Sequence, residues 1–217
     1  ACHAGGSAKF PAYLDDHALL LDALLAMLQV RWSRRDLDWG IALADTLLER
    51  FEDRDGSGFF FTAHDAEPLP QRPKPWMDES LPSGNGVAAR ALLKLGHLLG
   101  EPRYLDAAER TLRAAWPTLG EYPQACCTLL LALDEFLRPC SHLVVRHRGA
   151  ADAWRAAVLE AGAQRLDAYF IPAEGVLPGA LAAMTTTADA TAWLCRGLAC
   201  ETPITDPGEL ERALSAR

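Results

Sequence analysis

No stretch of this chain reaches the roughly eighteen consecutive apolar residues that a membrane-crossing helix needs. The best candidate, residues 18–30, is interrupted by Asp22 and Gln29, so no membrane partner is expected. Basic residues are outnumbered, with 21 Lys and Arg against 29 Asp and Glu and a formal net charge of −8. They are also scattered; Arg31, Arg34 and Arg35 form the one tight group. Phosphate backbones are bound by clustered cations, so no nucleic-acid partner is expected either. The chain has no P-loop, GxGxxG, GxSxG or HExxH, which removes the commonest nucleotide, hydrolase and metalloprotease signatures. Its six cysteines, Cys2, Cys126, Cys127, Cys140, Cys195 and Cys200, match neither a disulfide framework, a redox CxxC nor paired zinc ligands. The expectation is therefore buried thiols in a reducing cytoplasm, with no metal and no cofactor. The opening ACHAGGSAKF lacks the charged-then-apolar layout of a secretory leader and reads as the middle of a loop.

What is present is material for a helical core. Half of the 217 residues are apolar, enough for one domain with a small appendage. Residues 13–30 are apolar nearly all round, which describes a helix buried on most faces. Leu37, Ile41, Ala44, Leu48 and Phe51 then recur at steps of four and three, so the next helix keeps one wet face. The alternation returns after Pro82-Ser83, where Ser83 is an N-cap candidate. The expected helices are Leu14 to Val30, Leu37 to Phe51, Asn85 to Leu99, Arg103 to Trp116 and Gln124 to Leu137. Both helices of the first pair align with those of the second at an offset of about sixty-five residues. Repeated helical pairs imply a solenoid or a closed toroid.

The connection from Asp53 to Leu81 is long for a compact domain, and such loops are commonly functional. It holds a DRDGSG turn, the run Phe59-Phe60-Phe61, expected as a short hairpin, and a proline-rich stretch. After Pro139 the pattern changes. A strand is expected over 142–146, a helix over 151–166, a strand over 190–195 and a last helix opened by Asp206-Pro207. The fold class is thus mainly α, with helical hairpins over 1–139 and a small α/β segment over 140–217.

Three clusters carry candidate chemistry, each with a structural alternative. Asp15-Asp16-His17 places two carboxylates beside an imidazole, a set suited to acid–base work on sugars with Asp16 and His17 as the catalytic pair. The same residues suit the first turn of a helix, where acids cap and meet the dipole. Arg72, Asp78, Ser83 and Asn85 offer donors and acceptors to a ligand approaching the small residues of Ser83-Gly84-Asn85-Gly86; equally, they build a turn and a cap. In a hairpin Phe59 and Phe61 share one side and Phe60 takes the other, so Phe60 is a stacking candidate and its neighbours are core candidates.

YLDDHALLLDALL, RFEDRDGSGFFFTAHD, QRPKPWMDESLPSGNGVAARALL and the tail ATAWLCRGLACETPITDPGEL resemble the spermatogenesis-associated protein 20 family. Members of that family carry a thioredoxin-like domain followed by an (α/α)6 toroid, similar to those of N-acylglucosamine 2-epimerases and six-hairpin glycosidases. The resemblance implies that this chain corresponds to part of the toroid, a partial (α/α)6 arrangement without a counterpart of the thioredoxin-like domain. It further implies that Asp15, Asp16, His17, Phe60, Arg72, Asp78, Ser83 and Asn85 converge on a mouth that takes a sugar. Fold analogy alone does not set the chemistry. The competing expectation is a non-catalytic remnant that self-associates, or binds another chain, through an open seam of the toroid.

Overall fold

The computed structural model of the chain describes residues 3–4, 7–8, 11–67 and 70–216. It is mainly helical, at about 53%, and divides into two compact units. One comprises Ala1–Ala26, Arg34–Gly96 and Pro102–Arg138, the other Met27–Ser33, His97–Glu101 and Pro139–Arg217. The opening segment, expected as loop, contains a two-residue antiparallel pair, β1 (His3–Ala4) with β2 (Ser7–Ala8).

The first unit is built from α1 (Leu14–Val30), α2 (Arg34–Thr46) with its π-helical extension Leu47–Phe51, α3 (Gly84–Leu99), α4 (Pro102–Glu121) and α5 (Cys127–Leu137); the last turns of α1 and α3 fall in the second unit. Each lies close to its expected span, although α4 runs past Trp116 and through Pro117. Leu14, Ala18, Leu21 and Leu25 of α1 are buried at steps of four and three, one continuous stripe. α3 is buried almost all round over its first turns. α2 and α4 each keep a wet face, with Trp39 and Trp116 exposed. They are tied together where the Tyr104 hydroxyl donates to Asp45 at 2.5 Å and Arg103 pairs with the same carboxylate at 2.9 Å.

The burial pattern corrects the sixty-five-residue register. That offset sets exposed Ala23, Ala26 and Met27 against buried Ala88, Ala91 and Leu92. Buried Ala18, Leu21, Leu25 and Leu28 instead correspond to buried Ala88, Ala91, Leu95 and Leu98, five residues further on. Two alanine- and leucine-rich helices match at several offsets by letter; burial favours seventy residues for α1 with α3, an offset that α2 and α4 do not share.

The second unit carries a four-stranded sheet in the order β4-β3-β5-β6. β3 (Ser141–His147) runs parallel to β4 (Leu166–Pro172) and antiparallel to β5 (Ala190–Arg196), which turns back into β6 (Ala199–Cys200). Leu143 and Val145 face a core shared with Trp154 of α6 (Asp152–Ala161) and Leu210 and Leu214 of α7 (Pro207–Ser215). α7 starts as expected, with Asp206 accepting from Glu209 N–H at 2.9 Å and Pro207 in the first turn. The helix expected over 151–166 is shorter: Gly162 takes the left-handed conformation, φ 56°, and ends α6 at Ala161. The missed strand β4 is apolar on both faces, so it lacks the alternation that marks a half-buried strand.

The opposite sheet face holds His142, Val144 and Arg146. Arg146 is buried and donates to the carbonyls of Pro172, Met184 and Ala173 at 3.2, 3.0 and 2.6 Å, which fastens the irregular segment after β4. The expectation of buried thiols holds for Cys126 but not for Cys127, which is exposed, nor for Cys195 and Cys200, which are disulfide-bonded. A hairpin with a two-residue turn sets residues five apart directly opposite each other, and Cys195 pairs with Cys200 across Gly197-Leu198. Cys2 lies outside the described residues. Among the described residues no helix is long and apolar enough to cross a membrane, and no group of three or more His, Cys, Asp or Glu could hold a metal ion.

Burial, with His97 nearby, lowers the His142 pKa from 6.5 to about 4. The folded protein then binds fewer protons than the unfolded chain below pH 6.5. The resulting stability is complete above 6.5 and is lost as pH falls through about 4. Urea denaturation should show about 2–3 kcal/mol lost from this group between pH 7 and 4.5. His142→Leu should flatten that acid slope; an unchanged slope would assign it to other groups.

Candidate functional site

The N-termini of α1, α3 and α5 are brought together by small residues. A Cβ on Gly84 would collide with Oδ1 of Asp15 and stand 2.9 Å from Cγ of Leu14. One on Gly86 would lie 2.9 Å from Cγ2 of Thr128 and 3.0 Å from the Leu129 nitrogen. Any larger residue at either position would force the helices apart. Each helix start leaves backbone N–H groups without intrahelical partners, and these must find acceptors.

The long connection supplies most of them. Phe61 O accepts from Leu14 N–H at 3.0 Å, and Asp16, three residues beyond Tyr13, accepts from Tyr13 N–H at 2.8 Å, as the acidic partner of a capping box does. Ser83 Oγ accepts from Gly86 N–H at 3.3 Å and donates to Pro75 O at 3.1 Å. Asp78 bridges two helices, accepting from Ser83 N–H at the start of α3 and from Thr128 N–H at the start of α5, both at 2.8 Å. Burial opposes its charge, but these backbone donors outweigh burial and its pKa is lowered. Asn85 is fully buried. Its amide accepts from Phe59 N–H at 2.7 Å and donates to Phe59 O at 2.9 Å and Pro75 O at 3.0 Å.

The connection is also stiffened from within. Asp53 forms an Asx turn, accepting from Asp55 and Gly56 N–H, while Lys74 Nζ donates to its other oxygen at 2.7 Å and to Ser57 O at 3.1 Å. The Lys74 hydrogen bond, followed by that of Gly56, holds the Asp53 pKa at about 2. Phe59 is fully buried and its N–H and C=O are held by Asn85. The Arg72 guanidinium lies 3.9 Å from the Phe60 ring centroid and also donates to the Thr62 carbonyl. The aromatic run is a short bridge, Glu52 with Phe59, rather than an extended hairpin.

A cleft of about 630 Å³ opens beside the start of α1, lined by Tyr13, His17, Arg50, Thr62, Asp65 and Glu67 among others. The Tyr13 ring stacks on Phe61 at 4.8 Å and 10°, so its outer face is presented rigidly. His17 Nδ1 donates to Tyr13 O at 2.9 Å, and the imidazole tilts against Phe51 at 4.9 Å. Arg50 pairs with Asp65 across the cleft wall. An aromatic face, an imidazole, a hydroxyl and carboxylates in one concavity suit a small polyhydroxylated ligand.

Of the eight residues singled out from sequence, His17 borders this cleft. Asp15, Asp78, Ser83 and Asn85 gather instead at the junction of α1, α3 and α5, while Phe60 and Arg72 stack on each other. Asp16 is turned to the Tyr13 backbone. Asp15 is half-buried with Oδ1 unpartnered, and burial followed by the charge of Asp16 raises its pKa. The sequence reading passed over Tyr13, Arg50, Asp65 and Glu67. Tyr13 had a local signal, an aromatic just before a helix; the other three are brought to the cleft by the course of the chain.

No family model matches the chain. It is 29% identical to spermatogenesis-associated protein 20 of Homo sapiens, and 27% and 26% identical to those of Rattus norvegicus and Mus musculus, over 93% of its own length. These similarities bear out the resemblance carried by the GFFFT, RPK and PSGN segments. The chain spans 27% of the length of each of these relatives.

Asp78→Ala removes acceptors from two helix starts at once. Urea denaturation should show about 2–4 kcal/mol lost, at roughly 1–2 kcal/mol per cap. A loss under about 1 kcal/mol would mean that water replaces the carboxylate and that the junction does not depend on it.

Proposed function

We propose that the first unit is an arc of an (α/α)6 toroid whose mouth binds a sugar in the cleft beside α1. The observation that carries this reading is the pairing of Tyr13 and His17 on one wall with the carboxylates of Asp65 and Glu67 in the same concavity. A pyranose offers an apolar face to an aromatic ring and hydroxyls to flanking polar groups, and this lining matches both. The toroid reading is supported by α1, α3 and α5 starting at one place, with α2 and α4 joined to each other and half-exposed. In an epimerase-like or glycosidase-like reaction His17 is the group positioned to exchange a proton with the ligand. Asp16 sets the first turn that carries His17. Asp15, Asp78, Ser83 and Asn85 lie outside the cleft, at the junction that fixes the start of α1, and Arg72 with Phe60 stiffens the connection.

Calorimetric titration with neutral hexoses and N-acylated hexosamines tests this. A Kd of about 1 mM is expected for at least one of them, the modest affinity of a small ligand in an open cleft. Tyr13→Ala and His17→Ala should each weaken it at least about tenfold, the scale of one good contact, with the melting temperature retained. Absence of binding by every sugar, or binding indifferent to both substitutions, would reject the reading.

A second reading, a scaffold that associates through an open seam, is favoured by α5. Leu130 and Leu131 are 38% and 53% exposed on consecutive positions, and Leu137 is 67% exposed at its end. Such a face ordinarily packs against another helix. Sedimentation at rising concentration should show self-association that Leu131→Glu abolishes; a monomer throughout would count against the seam.

A further inference from the structure

Cys195 and Cys200 stand at one end of a row that crosses the four-stranded sheet. In register, Asp167 of β4 pairs with His142 of β3, His142 with Cys195 of β5, and Cys195 with Cys200 of β6. Residues opposite each other on neighbouring strands project to the same face, so the four side chains lie side by side. The two bonded sulfurs differ in access. Cys195 is fully buried, whereas Cys200 is exposed on a two-residue edge strand. With Arg196, Ala199 and Glu201 it lines an open hollow of about 380 Å³. An incoming thiolate reaches Cys200 and not Cys195.

As a staple the bond adds little. A disulfide stabilises most when it closes a long loop of the unfolded chain, and this one closes only residues 195–200. The edge is held without it. Glu201 N–H donates to Leu194 O at 2.9 Å, and Ala192 and Ile204 exchange backbone hydrogen bonds at 2.8 and 2.9 Å. Ile204 is itself part of the buried core. The sheet therefore accommodates both redox states. His142 lies opposite Cys195 with Nδ1 buried and without a hydrogen-bond partner; in the tautomer that carries its proton on Nε2, Nδ1 is an acceptor for the thiol of a reduced Cys195.

We propose that Cys195 and Cys200 form a thiol–disulfide exchange site, reduced reversibly by a dithiol, with Cys200 as the sulfur attacked and Cys195 as the buried leaving and resolving sulfur. One thiolate of the reductant attacks Sγ of Cys200. A new S–S bond forms as the Cys195–Cys200 bond breaks, and the electron pair goes to Sγ of Cys195, which takes up a proton. The second reductant thiol loses its proton and attacks the first reductant sulfur, expelling Cys200 as a thiolate that is then protonated. The reductant leaves as a disulfide; two electrons and two protons remain on the cysteine pair.

The test uses the full chain, glutathione and dithiothreitol as redox probes, and mass spectrometry after cleavage at arginine, which separates the two cysteines from each other at Arg196 and from Cys126, Cys127 and Cys140 at Arg146 and Arg165. In Cys195→Ser, glutathione disulfide should modify Cys200; in Cys200→Ser, Cys195 should react at least about tenfold more slowly, since access sets the rate. The unsubstituted protein should pass reversibly between dithiol and disulfide across a dithiothreitol titration with its circular dichroism retained. His142→Leu should shift that equilibrium about fivefold towards the disulfide, because the Cys195 thiol loses its acceptor. Should the single-cysteine variants fail to fold, the titration of the unsubstituted protein decides alone. A pair that stays bonded in excess dithiothreitol until the protein unfolds overturns the proposal, as does Cys195 reacting as fast as Cys200. An unmoved midpoint in His142→Leu overturns the part given to His142.

Discussion

The first unit depends on one constraint: three helices begin close together, and their first N–H groups have no partners inside the helices. Gly84 and Gly86 allow the approach. Acceptors come from the protein. Asp16 serves α1, Ser83 and Asp78 serve α3, and Asp78 reaches on to α5. Asn85 completes the set from the opposite direction, offering its amide to the connection instead of to a helix. The described parts of the connection between α2 and α3 supply this junction through Phe59, Phe61, Pro75 and Asp78, and the cleft beside Tyr13 lies where the connection passes the start of α1.

The same economy appears in the second unit with different groups. Arg146 is buried and donates to three carbonyls, with the Glu174 charge also favouring its cation, so a segment with little regular structure acquires a fixed course. His142 sits four residues earlier on the same strand face, and burial lowers its pKa. One sheet face thus carries a charged group held by three carbonyls and a titratable one left with a free nitrogen. The first fixes structure, whereas the second stores a response to protons or to a neighbouring thiol.

Legibility followed the range of the interactions. Helix positions came from spacing within a single turn, and the Asp206-Pro207 start of α7 was readable because cap and helix are adjacent. Ser83, Asp78 and Asn85 were visible as polar residues at a helix start, but their partners were not: Asn85 meets Phe59 across 26 residues and Asp78 meets Thr128 across 50. β4 was hidden because burial on both faces erases alternation. The disulfide was hidden because a five-residue spacing gains meaning once the two-residue turn at Gly197-Leu198 is known. The cleft was the least legible part, since Arg50, Asp65 and Glu67 are unremarkable charges until the chain folds past Tyr13.

Lys74 supplies the connection with a cation of its own. An Asx turn in an Asp-x-Asp-Gly-x-Gly context directs carboxylate and carbonyl oxygens inward, the arrangement through which many proteins hold calcium. Here an ammonium on the same chain meets Asp53 and the Ser57 carbonyl. A cation delivered covalently is present whatever the ionic composition of the solution, and chelators have nothing to withdraw. The order of this loop is therefore exposed to a different chemistry: acylation of one lysine nitrogen would discharge it, where a calcium-held loop would answer to the concentration of an ion.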